Sequence, residues 1–190
     1  MKEYISNYMS SVSKNFLELK KNTGDIEDAT NLIIDTLKNN KKIIFCGNGG
    51  SAGDSQHLAA ELMGRYKIDR NPLPALALTV DTSAITAIAN DYGYEKVFSR
   101  QLEGIGEKDD TLVAISTSGN SESVIEAIKY AKNNGINTIG MTGEKDSDVS
   151  KLVDICIKTT SKQTNHIQEM HIAIGQLICG IVEDHFFNTK

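Results

Sequence analysis

His57 and Glu61 stand four residues apart and therefore share one face of the helix predicted over Ala52–Tyr66. An imidazole and a carboxylate at that spacing can share a divalent metal or a substrate proton. On an ordinary surface the same spacing is an i,i+4 pair worth roughly a few tenths of a kcal/mol. Position favours the first reading, because the helix begins at the loop Gly47-Asn48-Gly49-Gly50-Ser51-Ala52-Gly53. That loop fits GxGxxA, but a dinucleotide site needs an acidic residue about 20 residues on, at the next strand's end. Here the next strand ends only at Val80-Asp81, and no Gly-Lys-Ser/Thr makes a P-loop. A tight strand-to-helix turn that needs its glycines is the bland alternative. A second loop, Ser116-Thr117-Ser118-Gly119-Asn120-Ser121, sets four hydroxyls at a helix start. Ordinary N-capping needs one of them. Four hydroxyls beside free backbone N–H groups suit a phosphate.

Other polar residues carry weaker signals. Asn90-Asp91 precedes Tyr92-Gly93 and reads as a turn that can line the same cleft. Gln168 and Glu169 flank the apolar stripe of the last helix, where solvent exposure is the ordinary expectation. His166, His171 and His185 read as packing or surface histidines.

The elements that must position these groups follow from periodicity. Ile5, Met9, Val12, Phe16 and Leu19 recur at helical spacing, and a second helix runs from Ile26 through Leu37 after the break at Asn22-Thr23-Gly24-Asp25. Short apolar runs at Lys42–Cys46, Ala75–Val80, Thr111–Ser116, Thr138–Thr142 and Asp154–Thr159 predict five strands. Helical stretches at Ala52–Tyr66, Ser83–Ala89, Ser121–Asn133 and Ser147–Leu152 separate them. The order predicts an α/β protein, a three-layer α/β/α sandwich around a five-stranded parallel sheet. A long closing helix, Thr164–Phe187, carries Ile167, His171, Ile174, Ile178, Ile181 and His185 in one stripe.

Composition narrows the function classes. The 190 residues suit one domain, 1–190, with a helical segment over about 1–40, large enough to bury a core without disulfides. With 39% hydrophobic and 24% charged residues the chain is neither disordered nor fibrous. A formal charge of −5 argues against a nucleic-acid partner, which usually needs a basic footprint. No apolar run nears the roughly 18 residues of a membrane span, and no signal peptide is visible. Three widely spaced cysteines, Cys46, Cys156 and Cys179, read as buried thiols, so a cytoplasmic location is expected.

The blocks CGNGGSAGDSQHLAAELMGRY, ANDYGYEKVFSRQ, ISTSGNS and IQEMHI, in that order, resemble the phosphoheptose isomerases of the sugar isomerase (SIS) superfamily. The resemblance covers essentially the whole chain; STSGNS is shared more widely among sugar-phosphate isomerase domains. It implies a flavodoxin-like SIS fold and a homotetramer with active sites at subunit interfaces. The implied reaction converts sedoheptulose 7-phosphate to D-glycero-D-manno-heptose 7-phosphate through a cis-enediol, the first step of nucleotide-activated heptose biosynthesis. Carried over by position, it implies substrate contacts at Asn48, Gly49 and Gly50, sugar hydroxyls near Asn90 and Asp91, and phosphate at Ser116, Thr117, Ser118 and Ser121. It further implies one zinc ion per subunit on His57, Glu61 and Gln168, with Glu61 also the general acid/base and Gln168 also near substrate.

One position departs from the family pattern. Eight residues after Gln168 the isomerases carry a histidine that ligates zinc and serves as second acid/base; here it is Gln176. A neutral amide can coordinate through oxygen but cannot shuttle a proton near pH 7. Three readings are open at this point. The chain is a heptose isomerase with Gln176 as fourth ligand. Alternatively it is a non-catalytic SIS protein that binds sugar phosphate or a protein partner, similar to the DnaA initiator-associating protein. The third is an isomerase of another sugar phosphate, such as a pentulose phosphate.

Overall fold

A computed structural model describes residues 1–21 and 23–187. Two helices, α1 (Lys2–Leu19) and α2 (Gly24–Lys38), precede β1 (Ile43–Gly47), α3 (Gly50–Met63), β2 (Ala75–Ala77) and α4 (Thr82–Tyr92). A 3₁₀ turn at Tyr94–Lys96 leads into α5 (Ser99–Ile105), β3 (Thr111–Ile115), α6 (Glu122–Asn133) and β4 (Asn137–Thr142). The chain closes with α7 (Asp148–Leu152), β5 (Ile155–Lys158) and α8 (Thr164–Phe187).

The strands form one parallel sheet in the order β2-β1-β3-β4-β5. β1 and β3 are buried along their whole length, as expected where helices cover both faces. Alternate side chains supply two cores. Ile43, Phe45, Val113 and Ile115 pack on α2, α3 and α8. Ile44, Cys46, Leu112 and Ala114 pack on α5, α6 and α7. The chain leaves β1 toward β2 on one side and then returns to β3 on the other. The carboxyl ends of β1 and β3 therefore flank a topological switch point, where open parallel sheets bind ligands.

Several boundaries differ from the sequence expectation. β2 stops at Ala77, because this edge strand pairs only with β1 and Val80 is 61% exposed. Asn90 and Asp91 lie inside the last turn of α4 rather than in a turn of their own; Gly93, at φ 94°, ends that helix. α5 has no counterpart in the expected elements. It is two turns long, and Phe98 and Leu102 anchor it to the second core. Within the expected stripe of α1 only Leu19 is buried, while Ile5 and Met9 are exposed. Ile167, His171, Ile174 and Ile178 of α8 are buried, but Ile181 and His185 face outward. Of the break before α2, Asn22 lies outside the described residues, and Gly24-Asp25 already belong to the helix. Cys46 and Cys179 are buried as expected, but Cys156 is only half-buried; all three are free thiols.

Candidate active site

Two loops at the switch point and one helix seam make up the site. At the first loop β1 turns into α3 through Asn48 and Gly49, the latter at φ +57°. The Asn48 amide is fixed at both ends: Nδ2 donates to Ser123 Oγ at 3.0 Å, and Oδ1 accepts from the Tyr94 hydroxyl at 2.8 Å. With both ends engaged, the backbone around Asn48, Gly49 and Gly50 is what this loop offers a ligand.

The second loop follows β3. Ser121 is the N-cap residue of α6, yet its hydroxyl makes no capping bond. It lies 3.1 Å from Ser116 Oγ, which accepts from Gly119 N at 3.1 Å and stands 3.5 Å from Ser118 Oγ. Capping therefore does not account for Ser121. The hydroxyls are gathered on one another while the first N–H groups of α6 are not capped by Ser121, an arrangement suited to an anion. Beside Thr117 and Ser118 opens a cleft of about 240 Å³, lined also by Lys145, Lys162 and Thr164.

The seam joins α3 to α8, whose residue numbers rise together, so the two helices run in the same direction. At its start Gln168 packs onto Gly50: a Cβ there would lie 1.9 Å from Gln168 Nε2 and 2.6 Å from Oε1. Only glycine leaves that amide its place. One level down, His57 Nε2 lies 2.9 Å from Glu61 Oε1 and 3.2 Å from Gln176 Nε2. Gly175 lets α8 approach there, because a Cβ on it would come within 2.5 Å of Leu58 Cδ1.

The trio poses a bonding problem. An imidazole nitrogen carries one proton or one lone pair, so Nε2 cannot donate to Glu61 and accept from Gln176 together. With the Gln176 amide turned over, a protonated Nε2 donates to both the Glu61 carboxylate and the Gln176 carbonyl, whereas a bare Nε2 leaves three acceptors converging. Such a set requires a proton or a cation among its members. Among the described residues no three His, Cys, Asp or Glu side chains cluster well enough to hold an ion by themselves. A metal at this seam accordingly needs amide oxygen as a donor.

Glu61, His57 and Gln176 thus come together, and Gln168 lies along the same seam against the glycine loop. Asn90 and Asp91 do not join them. They are exposed, Asn90 Nδ2 donates to Asp91 Oδ1 at 2.7 Å, and neither has a described hydrogen bond to the seam or the hydroxyl loop. Gln168 is half-buried rather than solvated, and Glu169 binds α1 to α8 by accepting from the Tyr8 hydroxyl and contacting His166 Nδ1 at 2.9 Å. His171 is fully buried; its Nε2 lies 3.1 Å from the Thr142 carbonyl, and burial pushes its pKa down to about 4. It is a neutral packing group.

Sequence reasoning missed Asp54. Its carboxylate is buried, Oδ2 has no hydrogen-bond partner, and burial raises its pKa against the opposing pull of the Gln168 amide and His57. The available signal was its place three residues before His57, on the same helix face. Tyr94 and Ser123, which lock Asn48, were also missed; neither spacing nor residue type marks them.

An SIS domain model matches residues 7–143. The phosphoheptose isomerase of Akkermansia muciniphila is 52% identical over 98% of this chain and 99% of its own length. That of Campylobacter concisus is 49% identical over 98% of each chain. Among solved structures, the phosphoheptose isomerase of Neisseria gonorrhoeae superposes with a TM-score of 0.91 at 38% identity, covering 96% of this chain and 98% of its own. The Francisella tularensis phosphoheptose isomerase gives 0.92 at 32% identity, over 96% and 97%.

Proposed function

The chain belongs to the phosphoheptose isomerases within the SIS-domain proteins, and on that premise we propose that it interconverts sedoheptulose 7-phosphate and D-glycero-D-manno-heptose 7-phosphate. The observation that carries the reading is the convergence of Glu61, His57 and Gln176 on the α3–α8 seam that begins at the glycine loop. Phosphate binds to the hydroxyls of Ser116, Thr117, Ser118 and Ser121 and to the N–H groups that open α6. The backbone of Asn48, Gly49 and Gly50, with Gln168, lines the sugar. Glu61 removes a proton from C1 of the ketose and returns it to C2. O2 gains a proton as O1 gives one up, so the enediol forms and collapses with no net proton change. Gln176 has no titratable proton and takes a hydrogen-bonding or ligating part only.

His57, Glu61, Gln168 and Gln176 would hold one zinc ion per subunit; the feature that fits it is the set of three acceptors formed when the Gln176 carbonyl faces a bare His57 Nε2 beside Glu61. Bound there, zinc would act as a Lewis acid on the carbonyl and enediolate oxygens. The chain acts as one domain, residues 1–190, within a homotetramer. In support of assembly, Ile5 and Met9 of α1 and Leu177 and Ile181 of α8 expose apolar surface. Asn90 and Asp91, which make no described hydrogen bond to the seam within one chain, would reach a site completed across subunits. Free thiols suit the reducing cytoplasm, and among the described residues no helix is long and apolar enough to cross a membrane.

The test is turnover of sedoheptulose 7-phosphate by metal-stripped and zinc-loaded protein, beside Glu61→Gln and Gln176→His. Zinc-dependent turnover is expected, falling about 10²–10⁴-fold in Glu61→Gln. A chain that stays inactive with zinc until the histidine is introduced is not a working isomerase, and the reading fails.

A further inference from the structure

The α3–α8 seam has a third level that the reaction does not touch. Gln168 and Gly175 are seven residues apart on α8, as are Gln176 and Glu183, so each pair returns to nearly the same face two turns on. On the partner helix, Gly50 and His57 repeat the same interval. Just past the end of α3, Glu183 accepts from the N–H groups of Tyr66 at 3.1 Å and Lys67 at 2.9 Å, and from Arg70 Nε at 3.1 Å. Arg70 turns its remaining donors back onto α3. Nη2 donates to the Glu61 carbonyl at 2.8 Å, and Nη1 to the carbonyls of Leu62 at 2.7 Å, Gly64 at 3.2 Å and Asn71 at 3.1 Å. The two side chains are 2% and 0% exposed.

The guanidinium thus joins the peptide carbonyl of the proposed base, Glu61, to a carboxylate two turns beyond Gln176. We propose that Arg70 and Glu183 form a register clamp, positioning residues that hold His57 and Glu61 of α3 at the correct height against Gln168 and Gln176 of α8. The role rests on the isomerase reading. A buried ion pair is a poor way to add stability, since well-packed apolar side chains often do as well or better. What it supplies instead is direction. Apolar contacts tolerate sliding of one helix along another, whereas this set of bonds is satisfied at one axial offset. Two of the carbonyls it engages, those of Glu61 and Leu62, belong to the last turn of α3, where helix geometry leaves them without intrahelical partners and where a cation is favoured.

The test uses Arg70→Lys and the double variant Arg70→Met/Glu183→Leu in the full-length chain. Four quantities are read: kcat and KM for sedoheptulose 7-phosphate, zinc affinity by chelator competition, affinity for inorganic phosphate, and the α3–α8 offset in crystals of the variants. Expected are a lowered thermal midpoint for the double variant, which leaves the Tyr66 and Lys67 N–H groups without their acceptor, and in the folded protein kcat about 10²-fold lower and zinc affinity about 10–100-fold weaker. Phosphate affinity stays within about twofold, since the hydroxyl loop lies outside the clamp. Arg70→Lys keeps the charge and loses the fork, and shows the same split if the double variant does not fold. Parent-like kcat and zinc affinity in folded variants overturn the clamp, as does a fall in phosphate affinity that matches the fall in kcat. If the parent itself fails to turn over the heptulose phosphate, the isomerase reading falls separately. The helix offset then decides the clamp: an unshifted seam overturns it.

Discussion

Replacing Gly175 by alanine sets a methyl carbon 2.5 Å from Leu58 Cδ1, 2.6 Å from Cδ2 and 3.1 Å from Cγ. Ordinary carbon contacts lie at about 3.5–4.0 Å, so roughly 1 Å of separation must come from somewhere. Leu58 is 2% exposed and cannot swing into solvent, and the clash reaches Cγ, so rotation about χ2 alone does not relieve it. The separation must come from χ1 of Leu58 together with a parting of the helices. Overpacking of this kind destabilises by about 1–3 kcal/mol, and removing a glycine from a helix interior returns about 1 kcal/mol. The net loss is then about 0–2 kcal/mol, at most about 8 °C in thermal midpoint for a chain of this size. The effect on rate should be far larger. Gln176 is the next residue, 3.2 Å from His57 Nε2, and a 1 Å misplacement of reacting groups costs about 10²-fold. Steady-state turnover and thermal unfolding of Gly175→Ala measure both quantities, and Leu58→Ala in the same chain should recover much of kcat by opening space. Parent-like kcat in Gly175→Ala, with or without a lower midpoint, would refute the claim that the seam's spacing governs the chemistry.

Two further outcomes follow from polar groups near the site. Asp54→Asn should stabilise the metal-free protein at pH 7 by on the order of 1 kcal/mol, because it removes a buried carboxylate whose Oδ2 has no partner. Burial raises the folded-state pKa of Asp54. Its favourable contribution is therefore complete below the unfolded value of about 3.9 and is lost as pH rises through the raised value. The gain from asparagine must consequently shrink toward zero in acid; a gain that grows in acid contradicts the sign. Tyr94→Phe removes the 2.8 Å hydrogen bond to Asn48 Oδ1 and frees an amide now held only by Ser123. KM for the sugar phosphate should rise a few-fold, by about 0.5–1.5 kcal/mol of lost binding, with kcat little changed, and steady-state kinetics reads the split.

The sheet was legible because its strands are short, largely apolar and separated by helices of obvious period. Runs such as Ile43–Cys46 and Thr111–Ile115 are buried on both faces and say so in composition. The errors fall where a local pattern and its tertiary setting part company. Ala75–Val80 reads as six strand residues, but an edge strand with one neighbour keeps only the three that pair with β1. α5 spans two turns, too few for a helical period to emerge from Phe98 and Leu102. The stripe on α1 is real as a pattern, yet Ile5 and Met9 find nothing to pack against within one chain.

The site divides along the same line. Each candidate ligand loop lies in consecutive residues, so glycines and hydroxyls could be read directly, and the resemblance placed them in one family. Ser121 shows what the sequence left open: capping and anion binding predict the same residue type, and only the hydroxyl's turn toward Ser116 separates them. The seam is different in kind, since every contact across it joins residues more than a hundred positions apart. Gly175 looks like a weakness in a long helix, Asp54 like a surface charge and Arg70 like one more basic residue in a loop. Each acquires a role only when α3 and α8 are set side by side: Gly175 admits Leu58, Asp54 meets the Gln168 amide, and Arg70 joins Glu61 to Glu183. The substitution at Gln176 belongs to this class. In the sequence it is the absence of a proton carrier, whereas in the fold its amide contacts the same nitrogen as Glu61. Its effect on the reaction therefore depends on how closely that seam is held.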